Sequence, residues 1–302
     1  MPRFSVVIPA HNAERTIREA LESLARQTVP PHEIIVVDDG STDATGAVVR
    51  SFADVRYLRI GHAGEGAARN AGLEHASGDF FVPFDADDIA EPTRLERLGE
   101  AAAARPDLDL LSTDVWFLRD GRVTGRFYSQ MRFEVEDQRA AILRGCFVFL
   151  PAMRRIPLVA QGGYDSTLAI AGDWDCYLRM LHGGASAGLV DEPLMRYRLH
   201  ERAVTAKRSR NLLLRAEWLE SVPDRVCLSR EQRRIVLQTA RRERGRGVRA
   251  RTQEALDSDA PDTRARLFAL AATPGAGRLV RVRAAAAALA PRGARGRVAG
   301  LV

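Results

Sequence analysis

Three carboxylates within four residues, Asp85, Asp87 and Asp88, follow directly on the apolar run Phe80-Phe81-Val82-Pro83-Phe84. Alternation along a strand puts Asp85 and Asp87 on one side. That much negative charge at a strand end is unfavourable unless a cation sits there. Hard divalent ions such as Mg²⁺ and Mn²⁺ take oxygen ligands and keep open positions for substrate phosphates. The competing reading is an acidic turn, with Asp88 near the start of the next helix.

The residues before this stretch form a repeating pattern. Phe4–Ile8, Ile34–Val37, Val55–Arg59 and Asp79–Phe84 read as strands, the first two rich in β-branched residues and Ile34–Val37 continuously apolar. Ile17, Leu21 and Leu24 recur at helical spacing within residues 13–26, and residues 42–52 and 67–76 read as two more helices. Strands of this type alternating with helices predict a parallel sheet covered on both faces, with ligands at the carboxyl ends of the strands. Three loops meet on that rim: Ala10-His11-Asn12, Asp38 to Asp43, and Asp85 to Asp88.

Beyond Asp88 the pattern changes. Pro92 opens a helix through Ala104, Leu108–Leu118 reads as a strand, and Asp120-Gly121 signals a hairpin. Cys146–Leu150 and Leu194–Leu199 are further strand candidates. Trp174, Tyr177, Leu178 and Leu181 place a helix beginning at Asp173. From about residue 206 only helices are visible. Ser229 and Gln232 fit a capping box, Pro261 can open a helix ending near Gly275, and another runs from Arg278 to Ala290. The expected organisation is an α/β domain over residues 1–205 and a basic α-helical region over 206–302.

Composition narrows the class. A chain of 302 residues with 46% hydrophobic content can bury a large core. Its three cysteines, Cys146, Cys176 and Cys227, make neither a disulfide framework nor a metal quartet, which points to a reducing compartment. No apolar run reaches the length of a membrane span, and no signal peptide is expected. Net charge is +6 but uneven. Residues 1–200 hold 22 basic and 29 acidic side chains, and residues 201–302 hold 23 and 10. Such a tail suits an anionic lipid surface, nucleic acid or an acidic partner, or is a solvated arginine-rich helical surface.

Five motifs in order are similar to those of the family 2 glycosyltransferases: VVIPAHNAERTI (6–17), VVDDGSTD (36–43), ARNAGLEHASGDFFVPFDADD (68–88), GGYDSTLAIAGDWDCYLRM (162–180) and YRLH (197–200). The resemblance covers roughly residues 4–205. It implies the GT-A fold, a Rossmann-like, mostly parallel sheet between helices, and an inverting, metal-dependent transfer of a sugar from a nucleotide-diphosphate donor, a UDP-sugar first. Carried over by position, Asp39 bonds the donor base while Asp38 serves its turn. Pro9, Ala10 and Asn12 line the nucleotide, and Arg69 reaches the base or diphosphate. Asp85 and Asp87 match the DXD motif, with Asp85 facing the ribose or sugar. Asp87, with Asp88 and His200 as further candidates, would hold Mg²⁺ or Mn²⁺, which neutralises charge on the leaving diphosphate. Asp173 matches the general base. The family's commoner Glu-Asp is Gly172-Asp173 here, which removes any second carboxylate at that place. Trp174 is either an acceptor platform or core.

The resemblance further implies an unknown acceptor, glycan or lipid-linked, and a role in surface polysaccharide or glycolipid synthesis. A cytoplasmic protein is expected, or one peripheral to the inner face of a membrane, with no nucleic-acid partner. A nucleotidyltransferase would carry a glycine-rich basic signature after its first strand, where this chain has Ala10-His11-Asn12-Ala13. A haloacid-dehalogenase-type phosphatase carries its DXD on the first strand, whereas this one follows the fourth. A degenerate nucleotide-sugar binding module would not need Asp39, Asp85, Asp87 and Asp173 together.

Overall fold

The computed structural model describes residues 1–199, 208–256 and 278–289, together with Leu267, Ala269, Ala271 and Ala272. The chain divides into two compact units, Met1–Glu201 and Arg202–Val302.

In the first unit, β1 (Phe4–Ala10), β2 (Glu33–Asp39), β3 (Val55–Ile60) and β4 (Phe80–Pro83) lie parallel in the order β3-β2-β1-β4. Val6, Val7, Ile8, Ile35, Val36 and Val37 are fully buried, as expected for strands covered on both faces. The crossovers are α1 (Ile17–Ala25), α2 (Thr45–Arg50) and α3 (Glu65–His75). Helix α3 approaches β1 very closely at Gly72, where a Cβ would lie 2.3 Å from Val7 Cγ1. Any larger residue would push the helix off the sheet.

The other half of the sheet is mixed. After β5 (Ile89–Ala90) and α4 (Arg94–Ala104), β6 (Leu110–Arg119) and β7 (Arg122–Arg126) form a hairpin. Asp120 and Gly121 both adopt positive φ, 49° and 75°, as a type I′ turn requires. Helix α5 (Gln138–Arg144) leads to β8 (Ala152–Arg154), which is antiparallel to both β4 and β6 and joins the two halves. Then come α6 (Arg155–Ala160), α7 (Gly172–His182) and β9 (Ala187–Arg198), which runs parallel to β6 and antiparallel to β5.

Two expected strands move. Cys146–Leu150 is not a strand; the ladder forms at Ala152–Arg154. Leu150 has φ 36°, the Phe147 carbonyl accepts the Tyr128 hydroxyl at 2.9 Å, and the Phe149 amide donates to Ser112 Oγ at 3.4 Å. The rings of Phe147 and Phe149 pack edge-on and tilted against Phe133, Phe127 and Tyr197, so this apolar run fills a loop core instead of a sheet. The strand expected at Leu194–Leu199 is only the end of β9. Polar Asp191-Glu192-Pro193 hid its first half, and the β6 register slips there.

The second unit holds α8 (Arg208–Arg225), α9 (Arg230–Leu256) and α10 (Arg278–Leu289). Ser229 and Gln232 cap α9 reciprocally at 3.2 and 3.0 Å. Helices α8 and α9 pack together, closely enough at Gly247 that a Cβ would meet Leu213 at 2.9 Å. Val248, Leu267, Ala284, Ala287 and Ala288 form a small core. Glu243, 2% exposed, gathers Arg215, Arg242 and Arg246. The helix expected from Pro261 lies outside the described residues. No described helix is long and apolar enough to cross a membrane.

Candidate active site

The carboxyl ends of β1, β2 and β3 are laced together. Asn12, at φ 52°, accepts the Thr42 amide on Oδ1 at 2.9 Å and donates its own amide to Ser41 Oγ at 2.9 Å. Pro9 and Ala10 precede it, Ala10 buried. Asp38 is wholly buried and works locally: it accepts the Tyr57 hydroxyl at 2.5 Å and the Ser41 amide at 2.7 Å. Burial pushes its carboxyl up, but these hydrogen bonds and Arg59 outweigh burial and hold it below the usual range.

Asp39 points elsewhere. Its two oxygens accept the amides of Ala63 at 2.7 Å and Gly64 at 2.9 Å, and His62 Nδ1 lies 3.1 Å from Oδ2. The His62 ring stacks on His11 at 4.3 Å, and His11 Nδ1 sits 2.7 Å from the Asp39 carbonyl. Residue 62 had no motif to mark it in the sequence.

The acidic stretch converges by a turn, not by strand alternation. Strand β4 ends at Pro83, and the Asp88 amide donates to the Asp85 carbonyl at 3.2 Å. Asp85, Asp87 and Asp88 each bring a carboxylate oxygen within 4.8 Å of the others. Asp88 is 1% exposed and caps no helix, because α4 starts at Arg94. Its Oδ1 accepts the Arg198 amide from β9 at 3.1 Å, and its Oδ2 is buried with no hydrogen-bond partner among the described residues. An orphaned buried carboxylate oxygen within an all-oxygen set fits a hard divalent cation. Behind the turn lies Arg94, also buried, which donates to the Leu150 carbonyl at 3.0 Å. Burial pulls Arg94 down to about 10 against the opposing charges of Asp88 and Asp85.

Arg69 joins this turn to α7. The residue is 2% exposed. Nη1 meets Asp173 Oδ1 at 2.5 Å, and Nη2 meets Asp85 Oδ1 at 2.9 Å and Glu65 Oε1 at 2.5 Å. Glu65, which no sequence motif marks, is four residues ahead of Arg69 on α3, the spacing of a helical ion pair. Burial pushes Asp85 up to about 7; Arg69 opposes this, while Glu65, Asp173 and Asp87 add to it. Asp173 sits in the first turn of α7, whose N-cap is Ala171 at φ 62° with no side-chain cap. Its carboxylate is therefore turned to Arg69 and does not cap the helix. Burial raises its pKa, opposed by Arg69 and by a hydrogen bond from Tyr177. Because the side chain keeps 38% of its surface exposed, water moderates that rise.

Trp174 belongs to the core. It is 6% exposed and donates Nε1–H to the Ile142 carbonyl at 2.7 Å, so it offers no face for a sugar to stack on. His200 lies outside the described residues.

The sequence model described as glycosyl transferase family 2 matches residues 5–158, just over half of the chain. The chain belongs to this family. That match runs from β1 through α6 and includes the acidic turn; Asp173 lies beyond it. Among curated relatives, the glycosyltransferase GlyA of Streptococcus pneumoniae is 38% identical over 100 residues, 32% of this chain and 14% of its own length. The poly(ribitol-phosphate) beta-N-acetylglucosaminyltransferase TarS of Staphylococcus aureus is 33% identical over 156 residues, 49% of this chain and 26% of its own. The chain thus matches about a quarter or less of either relative. In structure, TarS 1-349 in complex with UDP-GlcNAc superposes with TM-score 0.63 at 20% identity, over 98% of this chain and 88% of that one. The mannosyltransferase PcManGT of Pyrobaculum calidifontis, in complex with GDP-Man and Mn²⁺, gives 0.60 at 21% identity, over 99% and 86%. The fold of this family 2 chain is GT-A.

Proposed function

We propose that the protein is a metal-dependent, inverting glycosyltransferase that moves a sugar from a nucleotide-diphosphate donor to an acceptor hydroxyl. The observation that carries this reading is the meeting of Asp173 and Asp85 on the single guanidinium of Arg69 beside the acidic turn. A transferase needs its donor and acceptor side by side, and the reading is supported by one side chain holding both Asp85, assigned to the donor, and Asp173, assigned to the acceptor.

On the donor side, the laced loops that carry Ala10, Asn12 and Asp39 receive the nucleotide, with Asp39 accepting an imide N–H of the base. The neighbours in complex with UDP-GlcNAc and GDP-Man support a nucleotide-sugar donor, and the TarS likeness favours a UDP-sugar. Asp87 and Asp88 would hold Mg²⁺ or Mn²⁺, with Asp85 toward the ribose or sugar. The cation supplies Lewis-acid neutralisation of the charge that grows on the leaving diphosphate. On the acceptor side, the hydroxyl oxygen attacks C1 from the face opposite the nucleotide. Its proton passes to the carboxylate of Asp173, the C1–O bond to phosphate breaks, and the nucleoside diphosphate leaves. The acceptor is a hydroxyl of a glycan or a lipid-linked glycan. Between Arg230 and Leu256, α9 carries nine arginines and three glutamates, which suits an anionic membrane where such acceptors reside.

The test is transfer or hydrolysis of a labelled sugar nucleotide with Mg²⁺ or Mn²⁺, in the wild type and in Asp173→Asn. Donor binding should persist in the variant while turnover falls by roughly 10²–10⁴. Equal losses of affinity and turnover would move Asp173 into the donor site, and a wild type that binds but never turns over would be a binding module.

A further inference from the structure

We infer that Arg69 is a positioning residue: one guanidinium holds the carboxylate of Asp173 in register with Asp85, so that the acceptor end and the donor end of the reaction share a single fixed point. The inference rests on the reading of Asp173 as base, and it replaces the expectation that Arg69 binds the nucleotide.

The first argument is occupancy. Arg69 already faces three carboxylates, at 2.5 Å to Glu65, 2.9 Å to Asp85 and 2.5 Å to Asp173. Its Nε is buried and has no partner among the described residues, and its guanidinium lies over the Tyr164 ring at 5.2 Å. A phosphate oxygen arriving at Nη1 or Nη2 would compete with those carboxylates. Arg69 is 2% exposed, so a phosphate would have to enter a site that three carboxylates already line.

The second argument is independent of charge. The next residue on α3, Asn70, donates Nδ2–H to the Tyr164 carbonyl at 2.7 Å and accepts the Tyr164 amide on Oδ1 at 2.8 Å. That reciprocal pair ties the segment leading into α7 to α3. Gly163 makes it fit: at φ +66° its missing Cβ would stand 2.6 Å from Asn70 Oδ1. Helix α3 therefore grips the α7 side at two consecutive residues, by backbone through Asn70 and by side chain through Arg69. The planar fork of arginine aims fixed donors at two carboxylates at once, whereas the donors of a lysine rotate on a flexible stem and fix neither in direction.

The third argument is the state of Asp173. Arg69 and Tyr177 both address its Oδ1, the latter at 3.5 Å, and among the described residues Oδ2 receives no hydrogen bond. One oxygen is held and the other remains for a proton from the acceptor.

A kinetic double-mutant cycle tests this, with Arg69→Met, Arg69→Lys, Asp173→Asn and the pairwise combinations. Arg69→Met should lower kcat by about 10²-fold, the effect of misplacing a reacting group by about an ångström. Donor affinity, read by nucleotide-plus-Mn²⁺ thermal stabilisation, should stay within about threefold of wild type. Arg69→Lys should recover only part of kcat. In the Asp173→Asn background either Arg69 change should cost less than about threefold, because the group it positions is gone. A structural fault would instead multiply through both backgrounds, which would overturn the inference. So would a loss of donor affinity that matches the loss of kcat, because Arg69 would then be binding nucleotide. If Arg69→Met does not fold, Arg69→Lys, which keeps the positive charge, carries the same cycle. Wild-type turnover in Asp173→Asn alone would refute the base itself, and the positioning role with it.

Discussion

Replacing Asp88 by asparagine should stabilise the protein without metal and weaken it with metal. Asp88 is 1% exposed, with Oδ1 on the Arg198 amide and Oδ2 without a partner among the described residues, and its carboxylate shares a 4.8 Å space with those of Asp85 and Asp87. Two unit charges at that distance repel by at least about 3.5 kcal/mol at an effective dielectric of 20. Protonation and small movements already relieve part of that in the wild type, so about 2 kcal/mol should remain to be gained. Asparagine keeps the acceptor for Arg198 and turns an N–H toward the remaining carboxylates. For a unit the size of Met1–Glu201, about 2 kcal/mol corresponds to a rise of roughly 4–8 °C in Tm in EDTA. With Mn²⁺ and nucleotide at 100 times the wild-type dissociation constant, the wild type should gain about 2.7 kcal/mol. A site weakened a hundredfold gains RT ln 2, about 0.4 kcal/mol, under the same conditions. Thermal unfolding of both proteins, with chelator and with metal plus nucleotide, reads all four states. If Asp88→Asn melts below the wild type in EDTA, or keeps the full metal-dependent gain, the acidic turn is not a cation site built at the expense of apo stability.

Three further outcomes follow from individual contacts. The folded pKa of Asp173 is raised, so the ionised base is lost as pH falls through a value above the ordinary carboxylate; the acid limb of kcat should therefore lie above pH 3.8 and disappear in Asp173→Asn, as a pH–rate profile will show. Trp174→Phe removes the bond to the Ile142 carbonyl and should cost about 1–3 kcal/mol by denaturant titration, with turnover per folded molecule unchanged; a rise in acceptor KM would restore Trp174 to the acceptor site. Gly163→Ala should destabilise by about 1–3 kcal/mol and reduce turnover, through the strain at φ +66° and the collision with Asn70; wild-type stability would show that the α3–α7 tie is slack.

The parallel half of the fold was legible because β1, β2 and β4 are short, mainly apolar runs bounded by turn residues, a pattern with few other uses, and β3 follows them at the same spacing. The mixed half was not. The apolar residues of 146–150 serve a loop core, while β9 crosses the sheet edge with Asp191-Glu192-Pro193 in its middle, so hydrophobicity marks the wrong segments. The acidic turn could be read directly because its members are adjacent in sequence. The Arg69–Asp173 pair spans 104 positions, and no local pattern contains it. Glu65 carried a weak signal, its four-residue spacing from Arg69; Arg94 carried none and is buried beside Asp88.

The contact of Gly72 with Val7 has a mechanical consequence. A helix whose backbone lies this close to a strand cannot roll or slide on it without driving atoms together, since a packed interior is nearly incompressible. Arg69 lies one turn earlier on that helix, so it behaves as a stator. Loading a donor and releasing a product require parts that move on the microsecond-to-millisecond scale. With α3 fixed, the parts that move lie outside it, and the pace of turnover would then be set by loops and not by the helix that carries the guanidinium.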